Sequence, residues 1–327
     1  KLALMIHRFD LRLKNNPALN FAIENANDFL PIFILDPEFE IGEAQYWWLH
    51  HSLMKLQNSY RKRNQELYIF QGDSEYILSD LLKKTAADLL CFNDIFEPKQ
   101  LTRSKKILSS LNQKFSNLTI KNFNSSLLTN PAKIFNKTGG TYRVYTPYWR
   151  TIRQMIVSHD YGLKNNILEM PKKNSEFNFP QDINSLNLLN NRKNWADKFN
   201  KYWQVGEDAA QEKLTEFLAN NIFTYKHDRD FPNLDATSKL SPHIHFGEIS
   251  VVEAFFRAHK LIKDNYPRAA SIECFLSEIA WRDFAYYQLY HFPELDRSSF
   301  NPKFEKITWD DNPEFLEKWQ HAKTGYP

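Results

Sequence analysis

The most informative part of this chain reads Thr237-Ser-Lys-Leu-Ser241-Pro-His-Ile-His-Phe-Gly247-Glu-Ile-Ser250. It gathers hydroxyl side chains, a proline and a glycine after Tyr225 and the element Arg229-Asp-Phe-Pro232. Hydroxyls and backbone N–H groups at the start of a helix make an anion site that suits a diphosphate. Taken alone, the pattern T-S-x-x-S-P more often means a Ser/Thr helix cap followed by a proline turn. The neighbouring elements favour the ligand site here.

A second informative run lies on a predicted helix further along the chain. It carries Phe275 and then Glu278-Ile-Ala-Trp281-Arg282-Asp-Phe284. The spacing places Phe275, Glu278, Trp281 and Arg282 on one helical face. An aromatic ring, a carboxylate and a guanidinium on one face suit a flat, charged ligand with a π-system. The alternative is a helix that buries its aromatic rings and forms a Glu278–Arg282 ion pair, but the run is specific enough to favour the ligand.

Length and composition describe an ordinary globular protein with room for two domains. The chain has 327 residues, of which 42% are hydrophobic and 25% charged. A net charge of +3 is too small to indicate nucleic-acid binding by itself, so a local basic groove has to provide it. The eight glycines form no G-x-G-x-x-G or G-K-[ST] loop, which argues against NAD-binding Rossmann and P-loop proteins. No apolar run approaches the roughly 20 residues of a membrane span, and Cys91 and Cys274 are expected to be buried thiols rather than a disulfide.

The first part of the chain alternates apolar runs with amphipathic stretches. Two of these stretches, Tyr46–Arg61 and Ser74–Thr85, have helical periodicity. Alternation of strands and helices predicts a doubly wound parallel α/β domain with helices on both faces, placed at residues 1–125. The predicted strands are Leu2–Ile6, Leu30–Leu35, Glu66–Phe70, Ala87–Phe92 and Asn117–Asn122.

The remainder is predicted to be a linker followed by an all-helical domain. Residues 126–193 are rich in Asn, Ser, Pro and Lys with weak apolar periodicity, which indicates an interdomain linker. Within it, Lys137–Trp149 is expected to be an ordered turn and aromatic strip, and Asn174–Arg192 an irregular crossing. Residues 194–327 are predicted to be helical, with Ser250 as a helix cap. The predicted helices there are Glu207–Asn220, Val251–Ile262 and Ala269–Tyr290.

Together these motifs resemble the DNA photolyase/cryptochrome family, and they occur in the family's order along the whole chain. The branch that the chain most resembles is the class I cyclobutane pyrimidine dimer photolyases. Residues His7, Phe9 and Ala322 depart from the family's pattern. Family members also continue beyond the position of Pro327, so we expect a truncated flavin-binding domain. Four further motifs carry the resemblance: Arg8-Phe-Asp10-Leu-Arg12, Tyr142–Trp149, Trp203-Gln-Val-Gly206-Glu207, and Trp319-Gln-His-Ala-Lys-Thr-Gly325-Tyr-Pro327.

The resemblance implies a light-driven enzyme, a deoxyribodipyrimidine photo-lyase that binds FAD. It would repair cyclobutane pyrimidine dimers in UV-damaged DNA by electron transfer from excited reduced FAD to the flipped-out dimer. We expect a cytoplasmic monomer with no membrane partner. The alternatives are a cryptochrome-type blue-light receptor, a photolyase for the (6-4) lesion, and a nucleotide-binding module of the electron-transfer-flavoprotein type. Glu278 favours the dimer branch, because (6-4) enzymes tend to carry Gln at the matching position.

The resemblance also implies roles for individual residues. Glu278, Trp281 and Trp309 would be catalytic, with Trp309 as the exposed end of an electron relay, although it could also be a surface-packing residue. Arg229, Glu278, Trp281 and Arg282 would contact DNA. For Arg229 the alternative is a surface ion pair with Asp228 or Asp230. The residues expected to hold FAD are Tyr225, Thr237, Ser238, Lys239, Leu240, Ser241, Phe275, Glu278 and Arg282.

Two further predictions concern other ligands. His243 and His245 lack a third metal ligand at useful spacing, so we expect no metal site. The family's α/β domain often holds a folate or deazaflavin antenna, and the Asn93–Gln100 loop lies in the matching region. Lys99 and Gln100 do not supply the polar-plus-Glu pair that folate would need, so the antenna is left open.

Overall fold

A computed structural model describes residues 1–172, 177–189, 194–264 and 266–326. The chain forms two compact units, Lys1–His291 and Phe292–Pro327. The first unit contains a parallel sheet, the helices that cover it and a helical layer. Along the described residues, no helix combines the length and the apolar character needed to cross a membrane.

Five strands form one parallel sheet, β1 (Leu2–His7), β2 (Asp28–Leu35), β3 (Tyr68–Gln71), β4 (Leu89–Asn93) and β5 (Thr119–Phe123). All five strand predictions are confirmed, with ends shifted by a few residues. The strand order is β3-β2-β1-β4-β5, so the chain reverses direction across the sheet between β1 and β4. Such a reversal opens a crevice at the carboxyl ends of the strands, where ligands of open α/β sheets bind.

The described residues contain eleven α-helices. Their bounds are α1 (Pro17–Asn25), α2 (Glu43–Arg61), α3 (Ser74–Thr85), α4 (Pro98–Lys114), α5 (Tyr145–Ser158), α6 (Glu207–Ala219), α7 (Tyr225–Asp228), α8 (Ser241–His245), α9 (Val251–Asp264), α10 (Ala269–His291) and α11 (Pro313–Gln320). Short 3-10 turns fill several connections, among them Pro131–Lys133 and Ile183–Leu186.

The alternation of side chains along β1 explains why helices cover both faces of the sheet. Ala3 and Met5 point into a core that they share with α1 and α2. Leu4 and Ile6 point into the opposite core, which contains apolar residues of α3 and α4. The predicted doubly wound α/β architecture is therefore confirmed.

The helical layer has its own core, built by α5, α6, α9 and α10. The three helices predicted here are confirmed, and the Ser250 hydroxyl accepts a hydrogen bond from Glu253 N (3.3 Å) as the expected cap. The domain limits 1–125, 126–193 and 194–327 stay predictions, and part of the irregular stretch Asn174–Arg192 lies outside the described residues.

One expectation about the linker is wrong. The aromatic strip ends inside α5, a helix of 14 residues within the stretch predicted to have weak apolar periodicity. Tyr148, Ile152 and Ile156 recur every fourth residue and are buried against α10 and its neighbours. Three apolar positions among many polar ones are enough to hold a helix when a partner helix covers that one face.

The loop after β1 is locked onto the loop after α8. Leu11 N donates to Phe246 O (3.0 Å), and the buried Arg12 guanidinium donates to Gly247 O (2.9 Å). Gly247 has φ +66°, and a Cβ on it would lie 2.1 Å from Phe9 O. Two of the quoted sequence motifs thus meet here, and the contact joins the α/β layer to the helical layer.

The second unit is described by itself. It contains two 3-10 turns and α11, which Asn312 caps by accepting from the N–H groups of Glu314 and Phe315. Trp309 lies before α11 and is 80% exposed. Its side chain is therefore open to solvent, and its role in an electron relay stays a prediction. In the first unit both cysteines are free, Cys91 buried and Cys274 half-buried.

Candidate functional site

Helix α10 presents predicted site residues at two depths. Phe275 is 4% exposed and lies in the helical core, whereas Trp281 is 46% exposed. Glu278 lies between them in sequence, with a partly exposed side chain. One face of this helix therefore runs from the interior to the surface, which is what a cofactor site next to a substrate site requires.

Glu278 forms an ion pair with Arg229, the residue that follows α7. Arg229 Nη1 lies 2.5 Å from Glu278 Oε1, and the guanidinium lies over the Tyr225 ring, 5.6 Å from its centroid. The hydrogen bond to Glu278 raises the pKa of Arg229, so the guanidinium keeps its charge. Arg229 also approaches Asp230 (3.6 Å), one of its expected partners.

Behind this pair lies a cluster of three aromatic rings. Tyr225 and Phe275 meet edge to face, with centroids 5.6 Å apart. Phe217 of α6 contacts both rings. Burial raises the pKa of Tyr225, so its phenol stays protonated and can donate a hydrogen bond. Two of the predicted FAD contacts are thereby held together by packing between α6, α7 and α10.

Trp281 stacks on Tyr145, the first residue of α5. The two rings are nearly parallel, at 11°, with centroids 3.7 Å apart. The Tyr145 hydroxyl donates to Ser277 O (2.8 Å) and lies 2.7 Å from Ser277 Oγ. Tyr145 was not predicted to be a site residue. The one sequence feature that could have indicated it is the aromatic strip in which it lies.

The Thr237–Ser241 segment precedes and begins α8. Thr237, Lys239 and Ser241 are exposed, and Lys239 has φ +51°, which turns the backbone sharply. Ser238 Oγ accepts from Leu240 N (3.4 Å), whereas across the described residues the hydroxyls of Thr237 and Ser241 have no hydrogen-bond partner in the protein. Because α8 has only five residues, its N-terminal end contributes little to the binding of an anion. The segment can instead bind an anionic ligand through free hydroxyls and exposed backbone.

Arg282 makes contacts different from those of Glu278. Its Nη1 donates to Ser126 O (2.6 Å), and its guanidinium lies over the Tyr286 ring at 4.9 Å. The alternative of a Glu278–Arg282 ion pair is therefore wrong, because each residue has a closer partner on another element. Arg282 ties α10 to the loop that follows β5.

Asp283, beside Arg282 on α10, holds the same loop. Its carboxylate accepts from the N–H groups of Leu128 (2.9 Å) and Thr129 (3.0 Å). Burial raises the pKa of Asp283 to about 6 even though these donors oppose the shift. Asp283 therefore holds the loop beside the site and is not itself a candidate ligand contact.

His243 belongs to a buried polar cluster. Its Nδ1 lies 2.5 Å from Glu248 Oε2, and the other carboxylate oxygen accepts from Trp48 Nε1 (3.0 Å) and Gly206 N (3.0 Å). His245 lies 3.1 Å from the Gln45 side chain. Among the described residues, no group of three His, Cys, Asp or Glu side chains could hold a metal ion.

A separate cavity of about 290 Å³ opens at the carboxyl ends of β1 and β2. This is the crevice expected from the strand order. The predicted Lys99 and Gln100 line it, but most of the lining was not predicted. The lining includes Arg8, Phe33, Asp36, Gln100, Arg103 and Ser104.

The structure thus brings together Tyr225, Arg229, Phe275 and Glu278, with Trp281 one helical turn further along α10. The Thr237–Ser241 segment lies in the same helical layer, and Arg282 contacts the loop after β5. Trp309 belongs to the second unit. The first unit can therefore offer a stacking ring, a carboxylate and a guanidinium within reach of one another.

Comparisons with known proteins agree with this arrangement. A family model described as "DNA photolyase" matches residues 3–164, and one described as "FAD binding domain of DNA photolyase" matches residues 275–327. A deoxyribodipyrimidine photo-lyase of Agrobacterium fabrum is 35% identical over 321 residues, which cover 98% of this chain and 66% of that protein. Cryptochrome-2 of Arabidopsis thaliana is 26% identical and covers 100% of this chain and 55% of its own length.

A solved structure, the crystal structure of a bacterial class III photolyase from Agrobacterium tumefaciens, has a TM-score of 0.89 and 34% identity. The match covers 99% of this chain and 66% of that one, so the chain spans just under two thirds of its Agrobacterium relatives. The family models match in the order in which the sequence motifs occur. The chain therefore belongs to the DNA photolyase/cryptochrome family and carries part of its FAD-binding domain.

Proposed function

We propose that the protein repairs cyclobutane pyrimidine dimers in DNA with blue light. The observation that carries this proposal is the half-exposed Trp281 next to the Arg229–Glu278 ion pair. A flipped base needs an aromatic surface for stacking and polar groups for its edge. A photoreceptor that binds no lesion has no use for such a set at its surface.

The residues present fit FAD. Thr237 and Ser241 offer free hydroxyls for the diphosphate, and the paired rings of Tyr225 and Phe275 lie in the core of the same helical layer. When bound and excited, reduced FAD supplies the electron that opens the dimer and takes it back, so there is no net redox change. The protein's part is to hold the lesion close and keep water away from it.

Arg229 and Glu278 form an ion pair with each other, and both are expected to contact DNA. A phosphate that binds the Arg229 guanidinium would replace the carboxylate as its partner. Glu278 is then free to turn to the lesion and to form a hydrogen bond with the edge of a pyrimidine. Phosphate contact and lesion contact are in this way coupled through a single ion pair.

We propose that the cavity at the sheet's carboxyl edge holds a second, light-harvesting chromophore. Apolar residues such as Phe33 offer a flat surface, and Arg8 and Arg103 offer donors at the sides. Arg8 is half-buried and donates to Ser104 Oγ (3.0 Å), while Arg103 is paired with Asp36 (2.8 Å). These residues do not distinguish folate from deazaflavin.

A cryptochrome-type receptor is the second candidate, because Arabidopsis Cryptochrome-2 matches along the whole chain. Glu278 argues against the third, a (6-4) photolyase. The class I assignment stays a prediction, since the similar solved structure is a class III photolyase. Action as a monomer in the cytoplasm also stays a prediction.

The deciding experiment uses the full-length gene product with bound FAD. UV-irradiated DNA is incubated with it under blue light and in the dark, and thymine dimers are counted. Loss of dimers only in the light supports the proposal. Bound FAD and intact DNA binding without dimer loss would transfer the assignment to a cryptochrome, and loss of (6-4) lesions instead would identify the third candidate.

A further inference from the structure

We propose that Tyr145 is a positioning residue that fixes the indole of Trp281 as a stacking platform for the flipped base. This inference rests on the proposed function and adds a residue to its site. It starts from the near-parallel stack of the two rings, 3.7 Å apart at the centroids.

The geometry of this stack indicates that it is imposed rather than relaxed. Aromatic pairs prefer offset or edge-to-face arrangements with centroids 4.5–7 Å apart. Tyr145 instead lies face to face on Trp281, and its hydroxyl is anchored on Ser277, one turn earlier on α10. The hydrogen bonds to Ser277 and the position of Tyr145 on α5 together hold the phenol ring against the indole.

A third ring holds the pair from the side. Phe284 meets Tyr145 edge-on (5.8 Å) and Trp281 edge-on (5.9 Å). Phe284 is buried, whereas Trp281 remains 46% exposed. One indole face and one edge are therefore covered by rings, and the exposed remainder is available to a base.

Holding the indole in advance has an energetic consequence. Immobilising a side chain on binding costs free energy, and a tryptophan already fixed by its neighbours avoids that cost. Burial raises the pKa of Tyr145 to about 12, so its hydroxyl stays protonated and the anchor holds at all physiological pH values. Tyr145 should thus increase the preference for a flipped lesion without touching DNA itself.

The test measures the affinity of the full-length, FAD-bound protein for an oligonucleotide with one thymine dimer and for its undamaged match. Tyr145→Leu removes the stacked ring and should weaken dimer binding about fivefold, the size expected when one more side chain must be immobilised on binding, with undamaged DNA unaffected. Tyr145→Phe keeps the ring and should retain most of the preference. Tyr76→Leu, at an exposed tyrosine of α3, is the matched control and should change nothing.

A double variant decides whether Tyr145 acts through Trp281. In a Trp281→Ala background, Tyr145→Leu should have no further effect on dimer affinity. Additive losses, or an unchanged preference in Tyr145→Leu, would overturn the inference. FAD content and thermal unfolding are checked first, and Tyr145→Met replaces the leucine variant if that one fails to fold.

The inference and the proposed function fail in different ways. A wild-type protein that binds dimer and undamaged DNA equally would contradict the proposed function and, with it, the lesion platform. A wild-type protein that prefers the dimer, with a Tyr145→Leu variant that does so equally well, would contradict the role of Tyr145 alone.

Discussion

Arg229 Nη1 lies 2.5 Å from Glu278 Oε1, an ion pair that joins the end of α7 to the middle of α10. Each residue is expected to contact a different part of damaged DNA, the backbone and the lesion. Because the two side chains are paired with each other, each must leave the other in order to contact DNA. DNA that binds Arg229 breaks the ion pair and leaves Glu278 without this partner. This coupling between DNA binding and Glu278 can be measured.

Replacing Glu278 with Gln should lower the light-driven repair rate about tenfold or more. Hydrogen bonds of charged groups contribute roughly 1.5–3 kcal/mol, and ~1.4 kcal/mol corresponds to a factor of ten in rate. FAD content should not change. Glu273→Gln is the control, because Glu273 also lies on α10 and pairs with an arginine, Arg153. Equal loss of FAD and repair in Glu278→Gln would show that the residue supports the fold or the cofactor instead.

Replacing Arg229 with Ala should weaken binding to damaged and undamaged DNA alike. Removing one phosphate contact should lower the slope of log affinity against log salt by roughly 0.9. Titrations at several salt concentrations measure that slope. Arg61→Ala is the control, since Arg61 pairs with Glu66 on the α/β layer (3.3 Å). An unchanged slope in Arg229→Ala would mean that the guanidinium serves only Glu278.

Replacing Gln100 with Trp should fill the cavity at the sheet's edge and remove the second chromophore. Absorbance of the purified full-length protein would then lose the antenna band, while FAD absorbance and repair under strong blue light persist. Gln113→Trp is the control, because Gln113 is exposed on the same helix, α4, outside the cavity. An antenna band retained in Gln100→Trp would place that chromophore elsewhere.

The sheet could be predicted because β1, β2 and β4 are short apolar runs that are buried on both faces, whereas the edge strand β5 is mostly exposed. The strand order, the register and the reversal between β1 and β4 were not predicted, because the order of elements along the chain does not determine them. Helix α5 was missed because three buried residues, Tyr148, Ile152 and Ile156, stand among polar neighbours in a stretch rich in Asn and Lys. Composition averaged over a window hides a narrow apolar stripe.

From residue spacing alone, the site was predictable only where its residues lie close in sequence; Arg229 and Tyr225 were predicted through the family resemblance. Phe275, Glu278 and Trp281 share one helix, so their spacing reveals a common face. The partners Arg229 and Tyr145 come from other helices, and no local pattern announces that the chain returns them to α10. The same is true of the cavity, whose lining comes from β1, β2, α3 and α4.

Asp10 should make the stability of the protein fall in acid. Its buried carboxylate accepts from Arg8 N (2.6 Å) and from the Asn93 side chain (2.5 Å). Burial alone would raise the pKa of Asp10, but His7, Arg8 N and Asn93 outweigh it and lower the value from 3.8 to about 2. The unfolded chain therefore takes up the proton first as pH falls. About 2 kcal/mol of stability is present above pH ~4 and lost toward pH ~2.

Urea unfolding of wild type and Asp10→Asn at pH 7, 4 and 3 checks this. The variant should be less stable than wild type at pH 7. This difference in stability should shrink as the pH approaches the pKa of Asp10 in the folded protein. Asp80→Asn, at an exposed pair with Lys84, should differ little from wild type at any pH. A difference between wild type and Asp10→Asn that stays constant from pH 7 to pH 3 would show that the ionised carboxylate is not what stabilises the loop.

Gly247→Ala should separate the two layers of the first unit or prevent folding. The new Cβ would lie 2.1 Å from Phe9 O and 2.6 Å from Asp10 Cα, and both are backbone atoms that cannot turn aside. Gly139→Ala isolates the other contribution, because Gly139 also has positive φ (+81°) but no atom within 4 Å of its Cβ. That control should lose only the roughly 1–2 kcal/mol of a left-handed non-glycine residue. Gly247→Ala should lose several kcal/mol more in urea unfolding, since the Leu11–Phe246 and Arg12–Gly247 hydrogen bonds break together. Equal losses in the two variants would mean that the loop after β1 can shift without cost, and that the contact does not fix the layers.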